Sequence, residues 1–152
     1  MDTKIFVNLP VKDLDVTMEF FAKLGFEFNP KFTNENAACM VVSQDIFVML
    51  LTENFFQTFT KKELADATKV TEVITALSVE SREAVDELVA VALEAGAEEA
   101  REAQDMGFMY SRSFSDPNGH IWEAFWMDEA AATEEVAENT PVESAPKDDV
   151  VE

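Results

Sequence analysis

The chain repeats one order of predicted secondary-structure elements, and this repetition restricts its fold more than any other feature. Residues 4–10 alternate apolar and polar side chains, which is typical of a strand. A helix follows, predicted to begin at Asp13 and to end at Gly25, with Phe20 and Phe21 on its apolar face. Three further strands are predicted at residues 26–28, 38–42 and 46–51.

The second half of the chain follows the same order. A strand at residues 73–79 precedes a helix that Ser81 caps and Gly96 ends. Strands are then predicted near residues 97–101, 108–114 and 121–126. We therefore predict an α+β fold in which two βαβββ modules form a curved mixed sheet with a cup-shaped cavity.

The modules divide one domain of residues 1–127 into parts of about 1–52 and 72–127. The linker, residues 53–71, is predicted to be a short helix that caps the sheet or meets a partner. It places Phe55, Phe56 and Phe59 on about one helical turn.

Acidic residues outnumber basic residues by 31 to 11, which gives a net charge of −20. Such a charge repels phosphate backbones and argues against nucleic-acid binding. Residues 128–152 hold nine acids and one base and no aromatic residue. This composition predicts a disordered acidic tail.

Three absences predict a cytoplasmic protein without a membrane segment. The chain has one cysteine, Cys39, so it has no intrachain disulfide. No apolar run approaches the roughly 20 residues that cross a bilayer. Residues 1–4 lack the basic and apolar regions of a signal peptide.

One acidic residue near the end of the second module stands out. The turn formed by residues 116–119 (DPNG) precedes a strand that is almost entirely apolar apart from Glu123. A carboxylate among aromatic side chains requires a cation, a metal ion or a proton.

The repeat and three of its segments resemble the vicinal oxygen chelate superfamily, which includes glyoxalase, bleomycin-resistance proteins and extradiol dioxygenases. The segments are residues 9–14 (LPVKDL), 20–26 (FFAKLGF) and 116–123 (DPNGHIWE). The resemblance covers residues 4–127. It is specific for the fold and not for one reaction, because this fold carries many activities.

The resemblance implies four metal-ligand positions, which fall on Phe6, Leu50, Ile74 and Glu123. Only Glu123 among them can bind a metal ion, which needs three or four N, O or S ligands. We therefore expect no metal and no other cofactor. A weak alternative site would combine Glu123, Asn8 and water, with Tyr110 or Asp105 near the hairpin.

A cross-strand cation offers another partner for Glu123. If residues 116–119 form a four-residue loop, Arg112 lies opposite Glu123 on the same sheet face. Three roles for Glu123 remain open: a structural ion pair, a polar anchor for a ligand, and a metal ligand or catalytic base. His120 is expected to be a surface or turn residue.

The predicted lining of the cup is apolar with one amide and one acid. It suits a small aromatic or cationic ligand, or it is filled by its own side chains. The lining residues are Phe6, Asn8, Val48, Leu50, Ile74, Ala76, Ile121, Glu123 and Phe125. Tyr110 and Arg112 complete the candidate ligand-binding set, and no catalytic residue is assigned.

Three functions follow as hypotheses. The first is a metal-free small-molecule binding protein that uses Glu123 as its polar anchor. The resemblance implies that it is a homodimer, for which the linker phenylalanines and exposed faces of Trp122 and Trp126 would supply the interface. The second is a metal-dependent lyase or isomerase resembling glyoxalase (lactoylglutathione lyase), with Glu123 as ligand or base. The third is an interaction protein that acts through its acidic tail.

Overall fold

The computed structural model describes residues 1–132 and confirms two βαβββ modules in an α+β fold. The first module comprises β1 (Ile5–Val11), α1 (Leu14–Lys23), β2 (Glu27–Phe28), β3 (Ala37–Val41) and β4 (Ile46–Thr52). A short helix α2 (Glu53–Gln57) follows. The second module comprises β5 (Ile74–Ser78), α3 (Arg82–Glu94), β6 (Glu98–Asp105), β7 (Met109–Ser115) and β8 (Ile121–Met127).

The strands form two separate four-stranded sheets, with the orders β1-β4-β3-β2 and β5-β8-β7-β6. In each sheet the first strand of the module pairs in parallel with the last one, and the other pairs are antiparallel. The two sheets are not hydrogen-bonded into one closed sheet.

Both modules contribute to one hydrophobic core, which lies on the helix-bearing faces of the sheets. The Phe21 ring on α1 lies 5.0 Å from the Trp122 ring on β8, and the Phe20 ring lies 6.2 Å from that of Phe114. Helix α3 buries Val85 and Val89 completely in the same core. The helices therefore turn these faces inward and leave the opposite faces of the sheets outside this core.

The helix boundaries follow from the capping residues that the sequence indicated. The Asp13 carboxylate accepts a hydrogen bond from the Val16 N–H, and the Ser81 hydroxyl accepts one from the Ala84 N–H. Gly25 has a φ of +97°, so it ends the first helix in the left-handed conformation that glycine tolerates.

Only the first part of the predicted helical linker is helical in the described residues. Helix α2 covers residues 53–57, and the ring of Phe55 on this helix lies 5.2 Å from the ring of Phe59 just beyond it. Phe55 and Phe56 are half-buried, whereas Phe59 is 68% exposed. The rest of the linker runs in turns across one end of β1.

The predicted tail begins with five described residues, in which Ala132 is buried and its N–H bonds to the Asp128 carbonyl. Residues 133–152 lie outside the described residues, so the prediction of a disordered tail stays untested there. Within residues 1–132, no helix is long and apolar enough to span a membrane.

Candidate functional site

Each sheet has one face against the core and one face turned away from the helices, which we call the open face. Side chains alternate between the faces along a strand. In the first sheet, Phe6 and Asn8 lie on the open face and are exposed. Val48 and Leu50 are 1% and 0% exposed and lie in the core.

The prediction that Val48 and Leu50 line the cup is therefore wrong. The register pairs Phe6 with Phe47 and Asn8 with Met49 across β1 and β4, so Phe47 and Met49 share the open face instead.

The open face of the second sheet carries an ordered array of side chains, because cross-strand partners share a face. One row across the four strands consists of Arg101, Ser113, Glu123 and Ala76. The next row consists of Gln104, Ser111, Phe125 and Ser78. Ile74 and Ile121 pair in the row on the other side of Glu123.

Arg112 does not lie opposite Glu123. The register pairs Arg112 with Ala124 and Ser113 with Glu123, so the predicted pairing is wrong by one residue. The cause is a loop of five residues, 116–120, because the Asp116 carboxylate accepts the backbone N–H groups of Asn118 and His120 and keeps His120 outside the ladder.

Arg112 and Tyr110 instead face helix α3. The Tyr110 hydroxyl donates to the Asp86 carboxylate over 2.7 Å, and Arg112 Nη1 donates to the same carboxylate over 3.1 Å. Arg112 Nη2 lies 3.6 Å from a Glu99 oxygen. The hydrogen bond to Asp86 raises the pKa of Tyr110 above its ordinary value. Neither residue lines the open face, contrary to the sequence prediction.

Glu123 is half-buried on the open face, and in residues 1–132 no hydrogen bond or ion pair involves its carboxylate. Ser113 lies opposite Glu123 on the neighbouring strand and is 3% exposed. Ser111, in the next row of the same face, is 1% exposed. Their hydroxyl oxygens are buried without a hydrogen-bond partner in the described structure. Sequence reasoning missed these serines, although serine at every second position of β7 was the available signal.

The turn after β7 joins the two modules and does not form part of the open face. The Asp116 carboxylate also accepts from the Trp122 indole N–H over 3.0 Å, and burial raises the pKa of this carboxyl. His120 is half-buried, with Nε2 2.7 Å from the Pro10 carbonyl oxygen. Trp122 is 1% exposed, so the prediction that it offers an exposed face is wrong.

A cleft of about 350 Å³ lies between β1 and the linker. Asn8, Pro10, Phe56, Val73 and His120 contribute to its mostly apolar wall. Among the predicted ligand-binding residues, Asn8 alone lines this cleft in the described part of the chain. Sequence reasoning did not find the cleft, because it depends on the path of an irregular linker.

Comparison with known proteins identifies the architecture. Residues 3–43 match the family model for the N-terminal part of bleomycin resistance protein-like proteins. A hypothetical protein from S. aureus is similar in structure with a TM-score of 0.71 and 28% identity, covering 83% of this chain and 95% of that one. The chain has the vicinal oxygen chelate fold.

Two further structures with this fold are similar at lower identity. A glyoxalase/bleomycin resistance protein/dioxygenase family enzyme from Burkholderia phytofirmans PsJN has a TM-score of 0.68 and 17% identity, over 81% of this chain and 97% of that one. A glyoxalase-related enzyme from Fulvimarina pelagi has a TM-score of 0.70 and 19% identity, over 83% and 88%. No curated protein matches the chain.

The residues present do not fit the metal ion of the metal-dependent proteins with the vicinal oxygen chelate fold. The strand pairing changes one of the four metal-ligand positions that the resemblance implies. In the first sheet, Met49 rather than Leu50 corresponds to Glu123 in the second sheet. The set becomes Phe6, Met49, Ile74 and Glu123, which offers one carboxylate and no imidazole. Within residues 1–132, no three His, Cys, Asp or Glu side chains are grouped to hold a metal ion.

Proposed function

We propose that the protein is a metal-free small-molecule binding protein of the glyoxalase/bleomycin-resistance type, with the ligand on the open faces and Glu123 as its polar anchor. The observation that supports this most strongly is the carboxylate of Glu123, which within residues 1–132 is unpaired and lies on a sheet face that the helices leave uncovered. A ligand with a positive or hydrogen-bond-donating group would satisfy it.

The apolar part of the site would come from both modules. Phe6 and Ile74 are 49% and 55% exposed, although both are large and apolar. The Phe6 ring stacks on the Phe47 ring at 4.8 Å, which forms a flat aromatic surface. Exposed apolar surface of this kind is typical of ligand or protein interfaces.

A homodimer is part of the proposal, because a second copy would cover the open faces and convert them into closed clefts. Solved structures with this fold, from three species, support the architecture. A cytoplasmic location is likewise proposed, from the single cysteine.

The proposal is tested by thermal-shift screening of the full chain against small aromatic and cationic compounds. A melting temperature that rises with ligand in the wild type, and not in Glu123→Gln, supports it. Glu87→Gln is the matched control, because Glu87 is exposed on α3 away from the open face. A ligand response that is identical in wild type and Glu123→Gln refutes the role of Glu123.

The alternative function is a metal-dependent lyase or isomerase resembling glyoxalase, with Glu123 as ligand or base, against which the set of Phe6, Met49, Ile74 and Glu123 argues. Elemental analysis after incubation with nickel, zinc and manganese, followed by dialysis, separates the two candidates. Stoichiometric metal that is lost in Glu123→Gln would replace the binding proposal with the enzymatic one.

Whether the acidic tail contributes to ligand binding is tested by deletion of residues 133–152. An unchanged ligand response in the shortened chain would leave binding to the domain, whereas loss of the response would assign it to the tail.

A further inference from the structure

One of the two inner strands of the second sheet, β7, presents a stripe of small polar side chains on its open face. Ser111, Ser113 and Ser115 alternate along β7, between β6 and β8. Larger side chains flank the first two: Arg101 and Glu123 beside Ser113, and Gln104 and Phe125 beside Ser111. The serines therefore form the floor of a shallow groove between these neighbours.

The hydroxyl groups of Ser111 and Ser113 are buried and have no hydrogen-bond partner among the described residues. An unpaired buried hydroxyl is destabilising, and alanine at the same position would remove this cost. Nothing in the packing of β7 among the described residues requires a hydroxyl there. A ligand that donates hydrogen bonds into the groove would supply the missing partners.

The neighbouring carboxylate of Glu123 indicates which chemical group the ligand carries. Ser113 and Glu123 are direct cross-strand partners, whose Cβ atoms are about 5 Å apart. Because the hydroxyl is buried, one donor group can reach both the hydroxyl and the carboxylate only when it displaces a flanking side chain. A primary ammonium group has the positive charge that Glu123 needs and three N–H donors for the neighbouring oxygens.

We propose that the groove formed by Ser111, Ser113 and Glu123 binds the primary ammonium group of a small amine, whose apolar part lies against Phe125. This assignment rests on the proposed small-molecule binding function and specifies the class of ligand. The two unpartnered hydroxyls and the unpaired carboxylate are the observations that carry it.

Arg101 is a competing cation within the protein. It lies on the other side of Ser113 in the same row, is exposed, and shares the open face with Glu123. Its guanidinium group would repel an ammonium ligand and compete for the same carboxylate. Arg101→Gln should therefore tighten amine binding.

The experiment compares three ligands of similar shape by isothermal titration calorimetry on the full chain. Benzylammonium has charge and N–H donors, benzyltrimethylammonium has charge alone, and benzyl alcohol has no charge. We expect benzylammonium to bind best, with a loss of about tenfold in affinity in Glu123→Gln. Equal affinity for benzylammonium and benzyltrimethylammonium would overturn the inference, because the hydroxyl groups would then have no role.

The serine variants distinguish a ligand-binding role of the two hydroxyls from a structural role, because the two roles predict opposite changes in the melting temperature of the free protein. Ser113→Ala and Ser111→Ala should raise the melting temperature of the free protein and weaken benzylammonium binding several-fold. Ser115→Ala is the matched control, because Ser115 shares the strand and face but is only half-buried. A lower melting temperature with unchanged affinity would show that the two hydroxyls serve the fold alone, and would overturn the inference.

The outcomes also separate this inference from the proposed function. If benzyl alcohol binds as tightly as benzylammonium, the protein is still a small-molecule binder and the ammonium assignment is wrong. If Arg101→Gln weakens benzylammonium binding, the assumed competition is absent and the assignment is again wrong. If none of the three compounds binds, the ammonium assignment fails, while the wider screen decides the proposed function.

Discussion

Asn118 Nδ2 donates a 3.0 Å hydrogen bond to Thr17 Oγ1, although 101 residues separate them in the chain. Both residues are buried, with Asn118 in the turn of the second module and Thr17 on α1 of the first. The Asn118 side-chain oxygen also accepts from the Lys12 N–H over 2.9 Å. One amide therefore holds the two modules together through both of its polar atoms.

Replacement of this amide should destabilise the domain. Asn118→Ala removes both contacts and leaves the Lys12 N–H and the Thr17 hydroxyl without this partner, so we expect a loss of about 1–3 kcal/mol in the free energy of unfolding. Urea denaturation followed by tryptophan fluorescence measures it. Asn54→Ala, at an exposed position of α2, is the control and should change little. Equal effects of the two variants would contradict the proposed bridging role.

Gly119 should be much less tolerant of alanine than another glycine with similar backbone geometry. Gly119 and Gly96 have φ angles of +91° and +107°. A Cβ atom on Gly119 would lie 2.7 Å from the Thr68 backbone nitrogen, whereas one on Gly96 would meet nothing within 4 Å. We expect Gly96→Ala to cost about 1–2 kcal/mol for the backbone conformation. Gly119→Ala should cost a further 1–3 kcal/mol or so for the overlap.

Differential scanning calorimetry of the two variants checks this difference. A Gly119→Ala protein as stable as Gly96→Ala would show that the linker moves away freely from the turn.

The ion pair between Arg82 and Asp105 should make stability depend on pH in the acid range. The guanidinium donates to both carboxylate oxygens over 2.8 and 3.0 Å and lowers the pKa of Asp105 from 3.8 to about 2. A lowered folded-state pKa contributes stability above the unfolded-state value, and this contribution is lost as pH falls from about 4 through 2.

Asp105→Asn should therefore be less stable than wild type near pH 5, and most of this difference should be lost by pH 2. Urea denaturation between these pH values measures the difference. Asp2→Asn, at the exposed N-terminus, should show no such pH-dependent difference. A difference for Asp105→Asn that persists unchanged at pH 2 would contradict the assignment to this ion pair.

In the proposed homodimer, the association of two copies should depend on the open face of the first sheet. Phe6→Asp places a charge on that face and should convert a dimer into a monomer. Phe32→Asp is the matched control, because Phe32 is 61% exposed outside the strands. Analytical ultracentrifugation distinguishes the two. A Phe6→Asp protein that stays dimeric would place the interface elsewhere.

The sequence predicted the order of elements because caps and glycine stops mark each helix locally. It did not predict which side of β4 faces the core, since Phe47, Val48, Met49 and Leu50 are all apolar and alternation carries no signal there. Whether a turn has four or five residues is likewise set by side-chain hydrogen bonds, in this case those of Asp116. Because the turn has one residue more than predicted, Arg112 pairs with Asp86 and does not lie opposite Glu123.

The outermost strand of the second sheet, β6, is exposed at every residue and carries four acidic side chains among its eight residues. Charge of this density opposes the addition of a strand from another molecule at that border. In the first sheet the corresponding border is β2, which has only two residues and offers few backbone groups. Addition of a strand from another molecule is therefore disfavoured at the outer border of both sheets.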